Sequence, residues 1–215
     1  CVLLDFKKQI PVDVLPIRKK EYLLNYFQKI PLEERKKVKY ACSDMYEVYR
    51  DVVHKVFPSC CMLLDYFHLS QDFHRKMNEV RIKVMKGYKD NKASDEYYLL
   101  KKFNWLLFKN PEDEDKYGRL FDVERERKYN SHFKSYMNYY DLRKKLLEIN
   151  NDLTICYSLK LELVDFYSKS TIDNAKVNLE NLIRSCIDTN IEEMIKFSNN
   201  LINWKPFCIF WMSFQ

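Results

Sequence analysis

The chain has 215 residues, of which 47% are hydrophobic and 32% charged, with a formal net charge of +6. This composition indicates a globular protein and excludes a disordered one. The two glycines, Gly87 and Gly118, are too few for a glycine-rich phosphate-binding loop. Because no apolar run could span a bilayer and no secretory signal is present, we expect a cytoplasmic protein without a membrane partner.

The first 65 residues show strand and helix signals in the order β-β-α-β-α-β. Four short stretches are apolar or alternate in polarity, as buried and half-buried strands do: 1–4, 12–15, 38–43 and 61–64. Two stretches between them have apolar residues at helical spacing: 20–29 and 46–57. We expect the four strands to share one sheet, with both helices packed on it.

Beyond Tyr66 the apolar residues recur only at helical spacing. The pattern predicts a helix from about Leu69 to Tyr88, a second one N-capped by Ser94, and an acidic loop over 110–116. Long helices are predicted to follow, the first with apolar residues from Tyr129 to Ile149 and the others over 151–168, 172–187 and 190–203. We expect three regions: a mixed core (1–69), an all-helical insertion (70–205) and an apolar tail (206–215).

The tail, PFCIFWMSFQ, carries no charge and shows no amphipathic pattern. We expect it to be foreign to the fold, as the product of a shifted reading frame or an early stop would be. Since the first residue is cysteine, we expect a fragment of a longer reading frame. The seven cysteines show no paired C-x-x-C spacing, so we expect reduced thiols rather than a zinc site.

Basic residues are concentrated in the first two thirds of the chain, whereas the last third is mildly acidic. Phosphate backbones attract such a distribution, although solvated helix faces are also rich in lysine. Trp105 is a candidate for stacking on a base, with a core role as the alternative. The candidate phosphate contacts lie in the helical region: Lys83, Lys86, Lys89, Lys101, Lys102, Arg125, Arg127 and Lys128.

Three aspartates follow predicted strands: Asp5, Asp44 and Asp65. Carboxylates at strand ends can converge on one rim of a sheet, where their hard oxygens bind divalent metal ions. Two such ions can activate water and stabilise a leaving oxygen in phosphodiester chemistry. Each residue has a simpler interpretation as well, since Asp44 could form a capping box with Glu47 and Asp65 could begin the next helix.

The stretch VKYACSDMYEVYRDVVHKVFPSCCMLLDYFHL resembles transposases of the ISL-three insertion-sequence family. That family shows a strand ending in aspartate, a Tyr-Arg helix, a Pro stop and an Asp-x-Phe-His segment. Upstream, VLLDFKKQIPVDVLPIRK is similar to the family's paired strands. The similarity covers about residues 1–205. The matching residues are Asp44-Met45-Tyr46, Tyr49-Arg50, Phe57-Pro58 and Asp65-Tyr66-Phe67-His68.

The resemblance implies an RNase H-like DDE domain, in which two Asp and one Glu hold Mg²⁺ for DNA cleavage and strand transfer. The fold class expected is therefore α+β, a partial RNase H-like mixed sheet lacking its first strand and last helix, with a large all-helical insertion. By resemblance Asp44 is the second acid and the metal ligand, and Asp5 and Asp65 are further candidates. The first acid is expected before Cys1 and the Glu after Lys205.

Because the chain contains one of the three catalytic acids, we expect it to be inactive. We expect it to be a fragment of a transposase that cuts and joins DNA with Mg²⁺. The partner implied is DNA at the transposon ends, and a homo-oligomer is left open. The alternatives are a non-catalytic helical module that binds DNA or another protein, and a helical interaction protein with an incidental αβ start. Separate sheets would favour the last of these.

Overall fold

A computed structural model describes residues 1–5, 7–171 and 173–210, with side chains up to Cys208. The chain divides into two compact units. The first consists of Cys1–Leu69 and the chain end from Pro206 onward, and the second of Ser70–Lys205.

The first unit begins with an antiparallel hairpin and continues with a parallel strand pair. Its strands are β1 (Val2–Asp5), β2 (Ile10–Val14), β3 (Tyr40–Ser43) and β4 (Cys61–Leu64). Its helices are α1 (Lys20–Gln28), α2 (Leu32–Lys37) and α3 (Glu47–Val56), followed by the start of α4 (Tyr66–Lys86). The short α2 was not predicted, because its sequence LEERKK has too few apolar residues to show a period.

The core of the first unit lies between the hairpin and two helices. Leu15 packs with Leu23 of α1 and with Val52 and Val56 of α3. Leu3 of β1 packs against the same cluster. The opposite face of the hairpin is apolar but open to solvent, and its side chains are 51–65% exposed: Val2, Leu4, Ile10, Val12 and Val14.

The four strands do not share one sheet, so that expectation is wrong. Among the described residues, β1 pairs only with β2, and β3 pairs only with β4. Alternation and apolar runs reveal that a segment is extended, but they do not specify its hydrogen-bonding partner. The four strands and the two flanking helices themselves lie close to their predicted positions.

The second unit is mainly helical. Its helices are the remainder of α4, then α5 (Asp95–Lys102), α6 (Tyr139–Glu148), α7 (Asn151–Lys169), α8 (Ala175–Asp188) and α9 (Glu192–Phe210), with a 3-10 turn at Asn104–Leu107. Ser94 caps α5 as predicted, since its hydroxyl accepts the Tyr97 N–H at 3.2 Å. In the core, the rings of Phe73 and Phe197 meet edge to face at 5.0 Å.

The expectation of an all-helical second region is also wrong. Two short hairpins precede α6, namely β5–β6 (Glu114–Asp115 with Gly118–Arg119) and β7–β8 (Lys128–Asn130 with Ser135–Met137). The Asn130 side chain accepts the N–H groups of His132 and Phe133, and Lys134 has φ 49°. Both features favour a turn over a helix. The aromatic residues from Tyr129 onward nevertheless have helical spacing, which explains the error.

Helix α9 continues through Pro206 to Phe210, so the tail begins as helix. Cys208 is fully buried. The part of the tail after Phe210 lies outside the described residues. No helix in the described ranges combines the length and apolar character needed to cross a membrane.

Candidate functional site

Two aspartates lie at the carboxyl ends of the parallel strands β3 and β4, which we call the rim of this strand pair. The last register pair is Ser43 opposite Leu64, so Asp44 and Asp65 follow on adjacent strands. The N–H of Asp65 donates to the carbonyl oxygen of Ser43 at 3.0 Å, which fixes the two strand ends side by side. The β3–α3–β4 arrangement thus brings both carboxylates to the same rim.

The Asp44 side chain has an oxygen without a protein partner. Its Oδ1 is buried and accepts no hydrogen bond from the described residues. Helix α3 begins only at Glu47, and no side chain caps it, so the capping-box interpretation of Asp44 is wrong. Burial of a polar oxygen without a hydrogen bond is costly, and a ligand would remove that cost.

Two aromatic residues and an arginine surround the Asp44 end of the rim. Burial raises the pKa of Tyr49, and the Asp44 charge raises it further, whereas the Arg18 charge lowers it. The Arg18 guanidinium lies 5.4 Å from the ring centre of Tyr46, which itself packs on Tyr49. A cation and two phenol groups therefore lie around the carboxylate.

Asp65 has local partners of its own. Its Oδ1 accepts the N–H of Phe67 at 2.9 Å. Asp65 therefore caps the start of α4, as the alternative interpretation suggested. Its Oδ2 lies 3.7 Å from Nε2 of His68. Helix capping occupies only part of a carboxylate, which leaves lone pairs for another ligand.

Asp5 lies in the other sheet. It ends β1, and its side chain accepts the N–H of Lys8 at 3.0 Å within the hairpin turn. The structure does not pair this strand with β3. Asp5 therefore stabilises a turn, and the strand pairing does not bring it to the rim that Asp44 and Asp65 share.

Metal ligation by this rim is partly supported by its chemistry. Mg²⁺ takes oxygen ligands and commonly uses one or two carboxylates together with water. Asp44 and Asp65 fit that description, and the unpartnered Oδ1 of Asp44 suits a ligand. Within the described residues, no three His, Cys, Asp or Glu side chains form a group that could hold a metal ion. The pair thus fits part of a site.

The candidate phosphate contacts fall into two classes. Three of the cations are already paired: Lys83 with Glu192 and Glu193, Arg125 with Asp115, and Arg127 with Asp141. The other five are exposed to solvent and show no ion pair in the described parts of the chain: Lys86, Lys89, Lys101, Lys102 and Lys128. The Trp105 ring is half-buried against Tyr139 at 5.1 Å, so it offers little open surface for stacking.

A family model named for the DDE transposases of the ISL-three group, and described as transposase, matches residues 2–213. The chain belongs to the ISL-three transposase family. Neither the curated proteins nor the solved structures contain a significant match.

The family match extends farther along this transposase chain than the motifs indicated. The resemblance was expected to end at Lys205, whereas the matched range continues to residue 213. The residues after Lys205 therefore do fit the family, and the helix α9 crosses that point without a break. The uncharged composition of the tail was misleading because α9 continues into it and buries Cys208, and a buried position needs no charge.

The sequence motifs did not reveal an aromatic cavity in the second unit. Tyr117 and Tyr129 line it and remain 68% and 58% exposed. Tyr129 was predicted on the apolar side of a helix, and Tyr117 was not assigned to any element. The available signal was the density of tyrosine beside lysine and arginine between 116 and 129, a composition typical of nucleic-acid surfaces.

Replacing Lys83 by alanine should destabilise the transposase chain rather than weaken DNA binding. The ammonium group contacts Glu193, whose side chain is almost fully buried on α9, and Glu192 at 3.1 Å. Without Lys83 the buried carboxylate loses its cation. We expect a lower melting temperature by circular dichroism, and no decrease in the salt dependence of DNA affinity.

Lys86→Ala is the matched control, since Lys86 is exposed on the same helix without an ion pair in the described ranges. Its melting temperature should stay near that of the parent. A Lys83→Ala protein that melts normally but shows a shallower salt slope would instead assign Lys83 to a phosphate contact.

Proposed function

We propose that this chain forms part of the catalytic domain of a metal-dependent DNA transposase, with Asp44 as a metal ligand. The observation that carries the proposal is the position of Asp44. It follows a parallel strand, its Oδ1 is buried without a partner, and Asp65 follows the adjacent strand. Membership of the transposase family supplies the reaction class, transposition of an insertion sequence.

The proposed chemistry is cleavage and joining of phosphodiester bonds at the transposon ends. A bound Mg²⁺ would activate the attacking oxygen and stabilise the leaving one. Asp44 would hold the ion through Oδ1, and Asp65 would add a second carboxylate or orient a bound water. Arg18, close to the Tyr46 and Tyr49 pair, could contact a phosphate beside the rim.

An RNase H-like arrangement is the fold we propose for this catalytic unit. The described strands leave one edge of β1 and one edge of β3 without a strand partner. One further strand between those edges would join the hairpin and the parallel pair into a single mixed sheet. The apolar outer face of the hairpin supports this proposal, since it is suited to burial under another layer. Ser70–Lys205 would then be an insertion between Asp65 and the third acid.

The second candidate function for this chain is DNA binding without catalysis. The supporting observation is that several lysines of the second unit are exposed and have no ion pair among the described residues. Mg²⁺ retains its water unless the ligand geometry is near ideal, so two carboxylates should bind it weakly. The exposed lysines of the second unit would still attract DNA.

A metal titration tests the proposed role of Asp44. We expect Mn²⁺ to bind the 215-residue chain weakly, with a millimolar Kd in water-proton relaxation measurements, and Asp44→Asn to remove that binding. The chain should neither nick nor join transposon-end DNA in Mg²⁺ or Mn²⁺.

Asp51→Asn is the matched control, because Asp51 is an aspartate of the same unit whose partner is Lys20 at 2.6 Å. It should bind Mn²⁺ as the parent does. Equal Mn²⁺ affinity in the parent and in Asp44→Asn would remove Asp44 from the metal site. Metal-dependent nicking by the purified chain would overturn the expectation of inactivity.

A further inference from the structure

The second unit contains an open cavity of about 300 Å³ between its two hairpins and helices α5 and α6. Its walls combine tyrosine rings with basic side chains and with the carboxylates of Asp115 and Glu126, and its floor is apolar. Tyr117 lies at the tip of the β5–β6 hairpin, and Tyr129 lies on β7. Met137 and Leu142 are buried at the base.

We propose that this cavity binds an unpaired nucleotide of single-stranded DNA, with the base stacked on Tyr117. Single-strand binding sites combine aromatic stacking platforms with a basic groove, because every base has a π-face and every nucleotide a phosphate. A base within a duplex is already stacked on its neighbours, so the open tyrosine faces favour an unpaired one. The choice of DNA rests on the proposed function.

Tyr117 is held in place by the residues around it. The guanidinium of Arg125 lies 6.0 Å from its ring centre, and the ammonium of Lys116 lies 4.8 Å away. Arg125 is itself fixed, because it donates to Asp115 at 2.6 Å and to the Arg119 carbonyl oxygen at 3.0 Å. Arg125 therefore acts as a positioning residue, and its charge is largely compensated by Asp115.

The floor of the cavity is fixed by Asn138. Its amide donates to the carbonyl oxygens of Val123 and Arg125, both at 3.1 Å. Its Oδ1 accepts the Asp141 N–H, as the N-cap of α6. A side chain that joins the loop to the helix in this way keeps the cavity walls in position without a ligand, which lowers the ordering cost of binding.

Two lysines supply charge for a phosphate. Lys102 and Lys128 line the cavity and are exposed. Their ammonium groups lie over the rings of Tyr98 at 5.3 Å and of Tyr117 at 5.9 Å. Neither is ion-paired in the parts of the chain that the structure describes. Each lysine has a flexible four-carbon stem, so its ammonium group can turn from the ring to a phosphate and leave the ring face free for a base.

Binding of a fluorescein-labelled 15-nucleotide oligodeoxythymidine to the 215-residue chain tests the proposal. Tyr117→Ala should raise the Kd from fluorescence anisotropy about tenfold or more, as expected for the loss of one stacked base. Tyr117→Phe should keep near-parental affinity because it retains the ring. Lys128→Ala should reduce the slope of log Kd against log salt by about 0.7, one single-strand phosphate contact.

Tyr97→Ala is the matched control, since Tyr97 is a partly exposed tyrosine of the same unit that has a lysine ammonium 5.6 Å from its ring centre but does not line the cavity. It should change the Kd less than twofold. Circular dichroism will establish that each variant is folded. Unchanged affinity in Tyr117→Ala, or equal losses in Tyr117→Ala and Tyr97→Ala, would overturn the proposal.

Two further probes test the choice of an unpaired DNA strand, and they distinguish a failure of the cavity proposal from a failure of the proposed function. A 15-base-pair duplex should bind the parent but respond little to Tyr117→Ala, and oligouridine of equal length should bind no better than the DNA strand. Preference for oligouridine would overturn the choice of DNA. If Asp44→Asn removes metal binding while Tyr117→Ala leaves single-strand affinity unchanged, the cavity proposal fails and the proposed function stands.

Discussion

In an active transposase that contains this chain, Asp44→Asn should reduce cleavage at the transposon ends by on the order of 10³-fold, because the metal ligand that we propose would supply several kcal/mol of transition-state stabilisation. The amide keeps the size of the side chain but removes its negative charge. Oδ1 of Asp44 has no hydrogen-bond donor among the described residues, so no internal contact is lost. Gel analysis of end-labelled transposon DNA in Mg²⁺ measures the effect.

The fold should survive this substitution, since Asp44 does not cap α3. Circular dichroism should therefore show parental helix content and a similar melting temperature. Asp51→Asn in the same active protein is the control and should cut normally, because Asp51 pairs with Lys20 on the surface. Near-parental cleavage by Asp44→Asn would exclude Asp44 from the catalytic acids.

Lys160→Met should remove a pH dependence of stability that the parent chain shows between pH 7 and 8.5. Lys160 is 1% exposed on α7, and its ammonium donates to the carbonyl oxygens of Leu107 and Lys109. Burial lowers the pKa of Lys160 to about 7, even though Asp113 opposes the shift.

The sign follows from the protons bound by each state. Above pH 7 the folded chain has lost a proton that the unfolded lysine keeps up to its ordinary pKa of 10.5. The free energy of unfolding therefore rises with pH, by roughly 1.5 kcal/mol from pH 7 to 8.5. Cys156 and Cys186, with pKa values raised to about 12, act in the opposite direction, but only above the ordinary thiol pKa.

Urea denaturation at several pH values measures this slope. Lys169→Met is the control, since Lys169 is exposed on the same helix and pairs with Asp165 at 2.8 Å. It should retain the parental rise, whereas Lys160→Met should be flatter by most of the 1.5 kcal/mol. Equal slopes in Lys160→Met and the parent would mean that Lys160 stays protonated in the folded chain throughout this range.

Local patterns in the sequence were sufficient for most elements but not for the contacts between them. The strand at 61–64 and the Ser94 cap were predictable, because an apolar run and a capping residue are properties of neighbouring residues. The pairing of Lys83 with Glu193 joins residues far apart in the chain, and no sequence period reports such a contact.

The candidate site was predictable in one respect and not in another. Placing Asp44 and Asp65 after two strands was enough to suggest a shared rim, since parallel strands end on the same side. The unpartnered oxygen of Asp44 depends on packing and could not be anticipated. Lys160 did leave a signal, because it occupies a helical-spacing position between the buried Cys156 and Leu163.

Parallel pairing of β3 with β4 has a consequence for the order of folding. A hairpin such as β1–β2 closes through a short turn and can form within microseconds. The parallel pair joins Tyr40 to Cys61 across a connection that contains the whole of α3. Closing this longer connection costs more conformational entropy than closing the hairpin turn, so it should be slower. During refolding, the rim that carries Asp44 and Asp65 should therefore assemble after the hairpin, and the metal binding that we propose for it should recover later than far-ultraviolet ellipticity.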